Sequence, residues 1–542
     1  MKPAIEVLDI PREELDALLE HARAALPEDD YRRLRAVVEG LEQLTELIAD
    51  KDTTIRDLRR LLFPFVTEKT REVLQRAGIV AAEKPAAGAE EAASGEKPEK
   101  DKQQKPGHGR NGADAYRGAQ RVVIMHDQLH SGDLCPACTR GKVYVQADAR
   151  RLVRISGQAP LSATVYELER LRCNLCGEVY TAQAPEEVGE EKYDETAAAM
   201  IAQMKYGSGV PFHRLEKLEQ NMGIPLPAAT QWEIVEEAAE LIRPAYEELI
   251  RQAAQGEVLH NDDTGMRILH LAREPSDERT GVFTSGVVSV AEGRRIALFF
   301  TGRQHAGENL ADVLKRRSAA LPPPVQMCDA LSRNMPKLAE GMEILLANCL
   351  AHGRRQFAEV AANFPAACRY VLEMLGEVYR NDAAAREQKM SPEGRLRFHQ
   401  QHSRPIMDKL HAWMKAQLDD RKTEPNSGLG QAIGYMLRHW KPLTLFLRKA
   451  GAPLDNNLVE RSLKKAILHR KNALFYKTLH GAQVGDLYMS LIHSCELNKV
   501  NAFEYLAELQ RHSDEVHRSP SAWMPWNYRS SDAESQGPVP EP

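Results

Sequence analysis

From Ala81 to Ala115 the chain carries no Leu, Ile, Val, Met, Phe, Trp or Tyr, and Glu, Lys, Ala, Gly and Pro dominate. A run without large apolar side chains cannot bury enough surface to offset the entropy of ordering, so residues 81–115 read as a disordered linker. The segment is a tether between the parts of the chain on either side of it. At 542 residues the whole exceeds what one hydrophobic core supports, and several domains are expected. The linker ends in KPGHGRNGADAY, where Lys105, His108 and Arg110 stand among glycines, a composition that suits a DNA backbone as well as plain solvent.

Upstream, Leu34, Val37, Leu41, Leu44, Ile48, Lys51, Ile55, Leu58 and Leu62 recur at 3–4 spacing. This is the seam of a coiled coil, and a single Lys at a seam position sets register or partner number. Residues 1–80 are therefore predicted to be a helical oligomerisation region that makes the protein a homo-oligomer, although one amphipathic helix packed in cis would show the same pattern. The N-terminus has acids where a signal peptide would be apolar, and no run of 18 apolar residues occurs. These features predict a soluble protein of the bacterial cytoplasm with no membrane partner.

Eight cysteines in this length are too few for a disulfide scaffold. Four of them form two CxxC pairs, Cys135–Cys138 and Cys173–Cys176, followed by Gly141 and Gly177. Two thiolates three apart grip one tetrahedral ion, and the glycine lets backbone amides approach sulfur. Strand-like segments lie between the pairs, so residues 116–190 are predicted to be a zinc ribbon holding one structural Zn²⁺, with DNA contact as its second role. Next, Phe212, Leu215, Leu218 and Met222 form an apolar helix face before a turn at Gly223, and a second helix opens near Pro227. Two helices about a glycine turn give residues 191–255 a helix-turn-helix-like, DNA-binding expectation.

After Gln255 the texture changes. EVLHNDDTGMRILHLA, TGVFTSGVVSVA and RRIALFFTG are strand-like runs, followed by the helical GENLADVLKRRSAA and a further strand, PVQMCDA. A ribonuclease-H-like core has that order, with one acid on its first strand and one at the end of its fourth; Asp262 and Asp329 occupy those places. MEILLANCLAH could supply a fifth strand. Asp263 is a competing ligand, but strand alternation sends the two neighbours to opposite faces, and Asp329 could instead cap the following helix.

Net charge is −5, from 72 basic and 77 acidic residues, so a nucleic-acid role must come from local patches. LDNNLVERSLKKAILHRKN, residues 454–472, is such a patch: it holds Arg461, Lys464, Lys465, Arg470 and Lys471 beside only Asp455 and Glu460. Glu460 could pair with Lys464 on one helical face, or it could hold a divalent metal while the cations hold phosphate. Three acids on separate elements can bind two Mg²⁺ or Mn²⁺ ions for in-line displacement at phosphorus.

Taken together, the heptads, KPGHGRNGADAY, the CxxC pairs, NDDTG, CDALSRN, CLAHGRRQF, PLDNNLVERSLKKAILHRKNALFYKT and the C-terminal AWMPWNY resemble the transposases of the insertion-sequence sixty-six family, a bacterial DDE group. The resemblance implies a catalytic and metal-binding triad of Asp262, Asp329 and Glu460. It also implies a helical insertion at 353–450 that splits the core into residues 256–352 and 451–500, with a tail at 501–542. Asp262-Asp263-Thr264 departs from the family's commoner Asp-Glu-Thr, and Ala330 stands where Gly often follows the second acid. Cys349 and His352 resemble a CxxH feature beside some transposase active sites and are placed outside the metal shell. The expected partners are DNA, as element ends and target, and small accessory proteins of the same element, with a nucleoid-associated location. The fold expected is multidomain α+β: coiled coil, zinc ribbon and helix-turn-helix-like helices ahead of a ribonuclease-H-like core with an all-helical insertion. A catalytically silent DNA-binding regulator is the alternative from another class.

Overall fold

The computed structural model describes residue 31 and residues 128–145, 159–172, 179–185, 191–271 and 279–528. The heptad segment Leu34–Leu62, the linker 81–115, and Cys173 and Cys176 lie outside the described residues. A short antiparallel pair, β1 (Arg170–Arg172) and β2 (Val179–Thr181), brackets the second cysteine pair in the chain.

Helices α1 (Glu195–Ala202), α2 (Phe212–Asn221) and α3 (Ala228–Ala253) lead into the main sheet. Asp194 caps α1 by accepting from the Ala197 amide at 2.9 Å. Gly223, at φ 81°, makes the turn between α2 and α3, as the sequence anticipates. The second helix of that pair is long: Val235, Ala239, Ile242, Ala245 and Leu249 follow helical spacing and are wholly buried in the cluster that also covers the sheet. Residues 191–255, set apart in the sequence as a DNA-binding region, thus share one core with the strands that follow.

Those strands are β3 (Val258–Gly265), the short β4 (Ile268–His270), β5 (Phe283–Ala291) and β6 (Arg294–Gly302); helix α4 (Ala306–Leu314) then leads to β7 (Val325–Cys328) and β8 (Leu345–Asn348). β5 and β6 join through Glu292 and Gly293, both at positive φ, the backbone a tight hairpin demands. The five-stranded sheet has the order β6-β5-β3-β7-β8, with β6, β5 and β3 antiparallel and β7 and β8 parallel to β3. Its central strand carries Asp262.

Helices make up most of the chain from 350 to 443: α5 (Leu350–Glu359), α6 (Pro365–Glu387), α7 (Pro392–His402), α8 (Arg404–Asp419), α9 (Gly428–Arg438) and α10 (Trp440–Leu443). The basic segment becomes α11 (Asn457–Ala473), followed by β9 (Tyr476–Thr478), which pairs with β4, and α12 (Leu479–Leu497).

Helix α12 protects the edge strand β6. Asp486 accepts the Thr301 amide at 2.6 Å, Ser490 the Phe299 amide at 2.9 Å, Ser494 the Ala297 amide at 3.0 Å, and Asn498 the Arg295 amide at 3.2 Å. Four helical residues rise about 6 Å and two strand residues about 6.8 Å, so acceptors four apart on a helix meet alternate strand amides. The edge is closed to further pairing by side chains rather than by another strand.

Residues 501–528 are not a loose tail. α13 (Ala502–Arg511) and α14 (Ser513–Arg518) are followed by Trp523, Met524 and Tyr528, all buried in the same core as the sheet. The apolar residues of AWMPWNY are packing residues here, which a motif with so many aromatics allows and a reading by charge overlooks.

Candidate active site

The site begins with strand register. β3 and β7 pair in parallel through His260 opposite Met327, and β7 and β8 through Met327 opposite Ala347. Two residues beyond those partners stand Asp262, within β3, Asp329, one residue past the end of β7, and Cys349, one residue past the end of β8 and N-cap of α5, so all three lie at the same end of the parallel strands. On the antiparallel side Asp262 lies opposite Gly286 of β5. A Cβ on Gly286 would come within 3.0 Å of Leu463 and 3.1 Å of Val459. Glycine at this position lets α11 lie directly on the sheet, and Asp262 faces that helix.

Asp262 and Asp329 share a donor. The Asn334 side-chain amide donates to Asp329 Oδ1 and, at 3.3 Å, to Asp262 Oδ1. Asn334 is itself fully buried, its backbone carbonyl accepting from Asn261 at 2.8 Å and from Gln326 at 2.7 Å. Burial, then the charge of Asp329, push the Asp262 carboxyl up to about 7. Two crowded carboxylates, one of them held protonated near neutrality, form a donor set that a divalent cation would relieve; the acids therefore fit Mg²⁺ or Mn²⁺.

Asp263 points the other way. It meets His305 Nδ1 at 2.9 Å and Arg333 Nε at 3.4 Å, with its own side chain 1% exposed. His305 is the N-cap of α4, and Glu308 accepts its amide at 2.9 Å. Asp263 thus ties β3 to α4 across the sheet from Asp262.

Asn456, immediately before α11, seats the helix that carries Glu460. Its amide donates to Cys349 Sγ at 3.2 Å, its side-chain amide donates to the Asn261 carbonyl at 3.1 Å, and its Oδ1 meets His260 Nδ1 at 3.1 Å. The Leu350 amide donates to the Leu454 carbonyl at 2.9 Å, which joins the end of β8 to the same segment. Glu460 lies one turn into α11, where its Oε1 is 3.7 Å from His352 Nδ1. Among the described residues the group of three donor atoms within 4.8 Å of one another is Cys349, His352 and Glu460. The structure brings Asp262 and Asp329 together and draws Glu460 to the CxxH pair beside them. Asn334 and Asn456, which organise the two halves, escape a reading by charge because neutral amides carry no titratable or ligand signature.

The five cations of α11 divide. Lys465 Nζ pairs with Glu496 at 3.0 Å, and Arg470 donates to Thr264 at 3.2 Å and to the Gly265 carbonyl, so both serve the fold. Arg461, Lys464 and Lys471 are exposed, spaced so that they share a helical face with Leu468. At the first cysteine pair, the Gly141 amide approaches Cys138 Sγ at 3.5 Å, the Cys135 amide donates to the Gly141 carbonyl at 2.7 Å, and Thr139 turns the chain at φ 54°. The amides of Arg140 and Gly141 and the Cys135 side chain lower the Cys138 thiol, as suits half of a zinc knuckle.

An uncharacterized protein y4jD of Sinorhizobium fredii is 27% identical over 376 residues, covering 67% of this chain and 71% of the relative. A second, y4hP of the same organism, is 24% identical over 396 residues, covering 67% and 68%. The model of the family described as "Transposase IS66 family" matches residues 191–484, a span that runs from α1 through the sheet, the helical segment and α11 and includes Asp262, Asp329 and Glu460. More than half of the chain lies within that match, and the chain belongs to the IS66 transposase family.

Proposed function

We propose that the protein is an active DDE transposase on a ribonuclease-H-like core, binding the terminal inverted repeats of an insertion sequence and cutting and joining DNA strands. One observation carries the reading: Asp262 on the central strand and Asp329 just past the end of the neighbouring one share a single amide donor, beside the helix that bears Glu460. The sheet order, with three antiparallel strands and two parallel ones added beside the first, supports the core assignment.

In this reading Asp262, Asp329 and Glu460 hold two Mg²⁺ or Mn²⁺ ions, which supply Lewis-acid activation of the attacking oxygen and charge relief at the leaving one. Holding a cation there would require the Asp262 carboxyl to be ionised, its proton passing to solvent, while Asn334 keeps the paired carboxylates aligned. Arg461, Lys464 and Lys471 hold the backbone of the DNA through charge, a contact that positions the substrate without reading its bases. Cys135, Cys138, Cys173 and Cys176 hold one structural Zn²⁺, and the heptads of residues 1–80 bring two or more copies to paired ends.

The test is incubation of purified protein with a labelled element end and Mg²⁺ or Mn²⁺, scored for nicked and joined products. Asp262→Asn, Asp329→Asn and Glu460→Gln should each abolish cleavage while end binding persists. End binding without any metal-dependent nicking by the unaltered protein would instead identify a silent DNA-binding regulator.

A further inference from the structure

Glu460 keeps unusual company for an acid at the start of a basic helix. Its Oε1 and His352 Nδ1 are both buried and both lack a hydrogen-bond partner, although they face each other at 3.7 Å. Burying polar atoms unpaired is costly, and 3.7 Å is too long for a hydrogen bond between them. Two ligand atoms on one tetrahedral ion, each about 2.0–2.1 Å from the metal, stand roughly 3.4 Å apart. The observed spacing is near that value. Cys349 Sγ completes a group within 4.8 Å, and it receives the Asn456 amide at 3.2 Å, the kind of N–H to sulfur contact that a metal-bound thiolate accepts.

The frame is built before any ion arrives. Cys349 and His352 sit three apart at the start of α5, and the Leu350–Leu454 bond together with Asn456 fixes the start of α11 against them. Sulfur, imidazole and carboxylate suit zinc, whereas magnesium prefers an all-oxygen shell such as Asp262 and Asp329 offer. Three protein donors also leave a fourth position for water or a substrate oxygen.

We propose that Cys349, His352 and Glu460 form a second cation site, selective for a thiophilic divalent ion of the zinc class and separate from the Asp262–Asp329 pair. On binding, the Cys349 proton leaves to solvent and the sulfur becomes the ligand. The existence of this site does not depend on strand transfer; only its effect on cleavage, through competition for Glu460, rests on the magnesium reading given above.

The test counts Co²⁺ bound by the full-length protein in excess Mg²⁺, with thiolate-to-cobalt absorption as the second readout. The unaltered protein should take up one more equivalent than Cys349→Ser, His352→Ala or Glu460→Gln, and Asp262→Asn should keep that equivalent. His352→Ala guards against misfolding of the buried Cys349 variant, with circular dichroism as the check on each. Equal cobalt counts in the unaltered protein and in the folded His352→Ala and Glu460→Gln variants would overturn the proposal. Cleavage that survives Asp262→Asn would overturn the magnesium reading and leave the cobalt count as it was.

Discussion

Asp262 and Asp263 are neighbours in the chain and stand on opposite faces of β3, the first toward α11 and the second 2.9 Å from His305 beside α4. Their replacement should act in opposite directions. Asp263→Asn removes the buried carboxylate that meets His305 and Arg333 and should cost roughly 1.5–3 kcal/mol in urea unfolding. Asp262→Asn removes a crowded charge and should raise stability at pH 8.

The pH dependence of that second effect has a definite sign. The folded chain holds the Asp262 carboxyl up at about 7, against about 3.9 in an unfolded chain. Its protonated form favours the fold fully below the unfolded value, and that stabilisation is lost as pH rises through about 7. The gain in thermal midpoint from Asp262→Asn should therefore be largest at pH 8 and vanish by about pH 4, on metal-free protein.

The same proton competes with metal. Mg²⁺ needs the carboxylate, so apparent Mg²⁺ affinity should increase as pH rises through about 7 and flatten above it. Isothermal titration across that range measures it, and an affinity that falls with pH would contradict the assignment.

Asn334→Ala tests the shared donor. Its amide is the group that reaches both carboxylates, so loss of alignment should cut metal-dependent cleavage by about 10–100-fold. End binding, measured by mobility shift, should change little, because the cations of α11 are untouched.

The edge of the sheet gives a test of the fold alone. Ser490→Ala leaves the Phe299 amide buried without its acceptor and should cost about 1–3 kcal/mol. Ser490→Thr keeps the hydroxyl and should recover part of that loss, which denaturant midpoints will show.

Much of the core is legible in the sequence. Alternating Val, Ile and Phe from Val258 to Gly302 marked the three strands, and the apolar run at 345–348 marked the last one. Helices fill most of 350–443, where the sequence reading had set an insertion. The split of one strand into β3 and β4, and the pairing of β4 with β9, were hidden because three-residue strands leave no periodicity to read. The C-terminal segment reads as a tail in sequence because its buried Trp523 and Tyr528 are held by aromatic packing on His512 and Tyr505 and by the shared core, contacts that no periodicity announces.

At the candidate site the division is the same. Local chemistry marked Asp262, Asp329, Glu460, Cys349 and His352 as groups worth watching, and it marked Cys135 and Cys138 as a metal-gripping turn. Side-chain type and spacing along one element are properties of a short stretch, and a short stretch displays them without help. Which face Asp262 takes, that Asn334 bridges two acids, that Lys465 and Arg470 belong to the fold, and that Glu460 meets Cys349 and His352 were decided only by register and by packing between segments as many as 205 residues apart. Those contacts depend on how five strands and the helices around them fit together, and a hydrogen-bond partner is chosen by that fit rather than by anything written beside it in the chain.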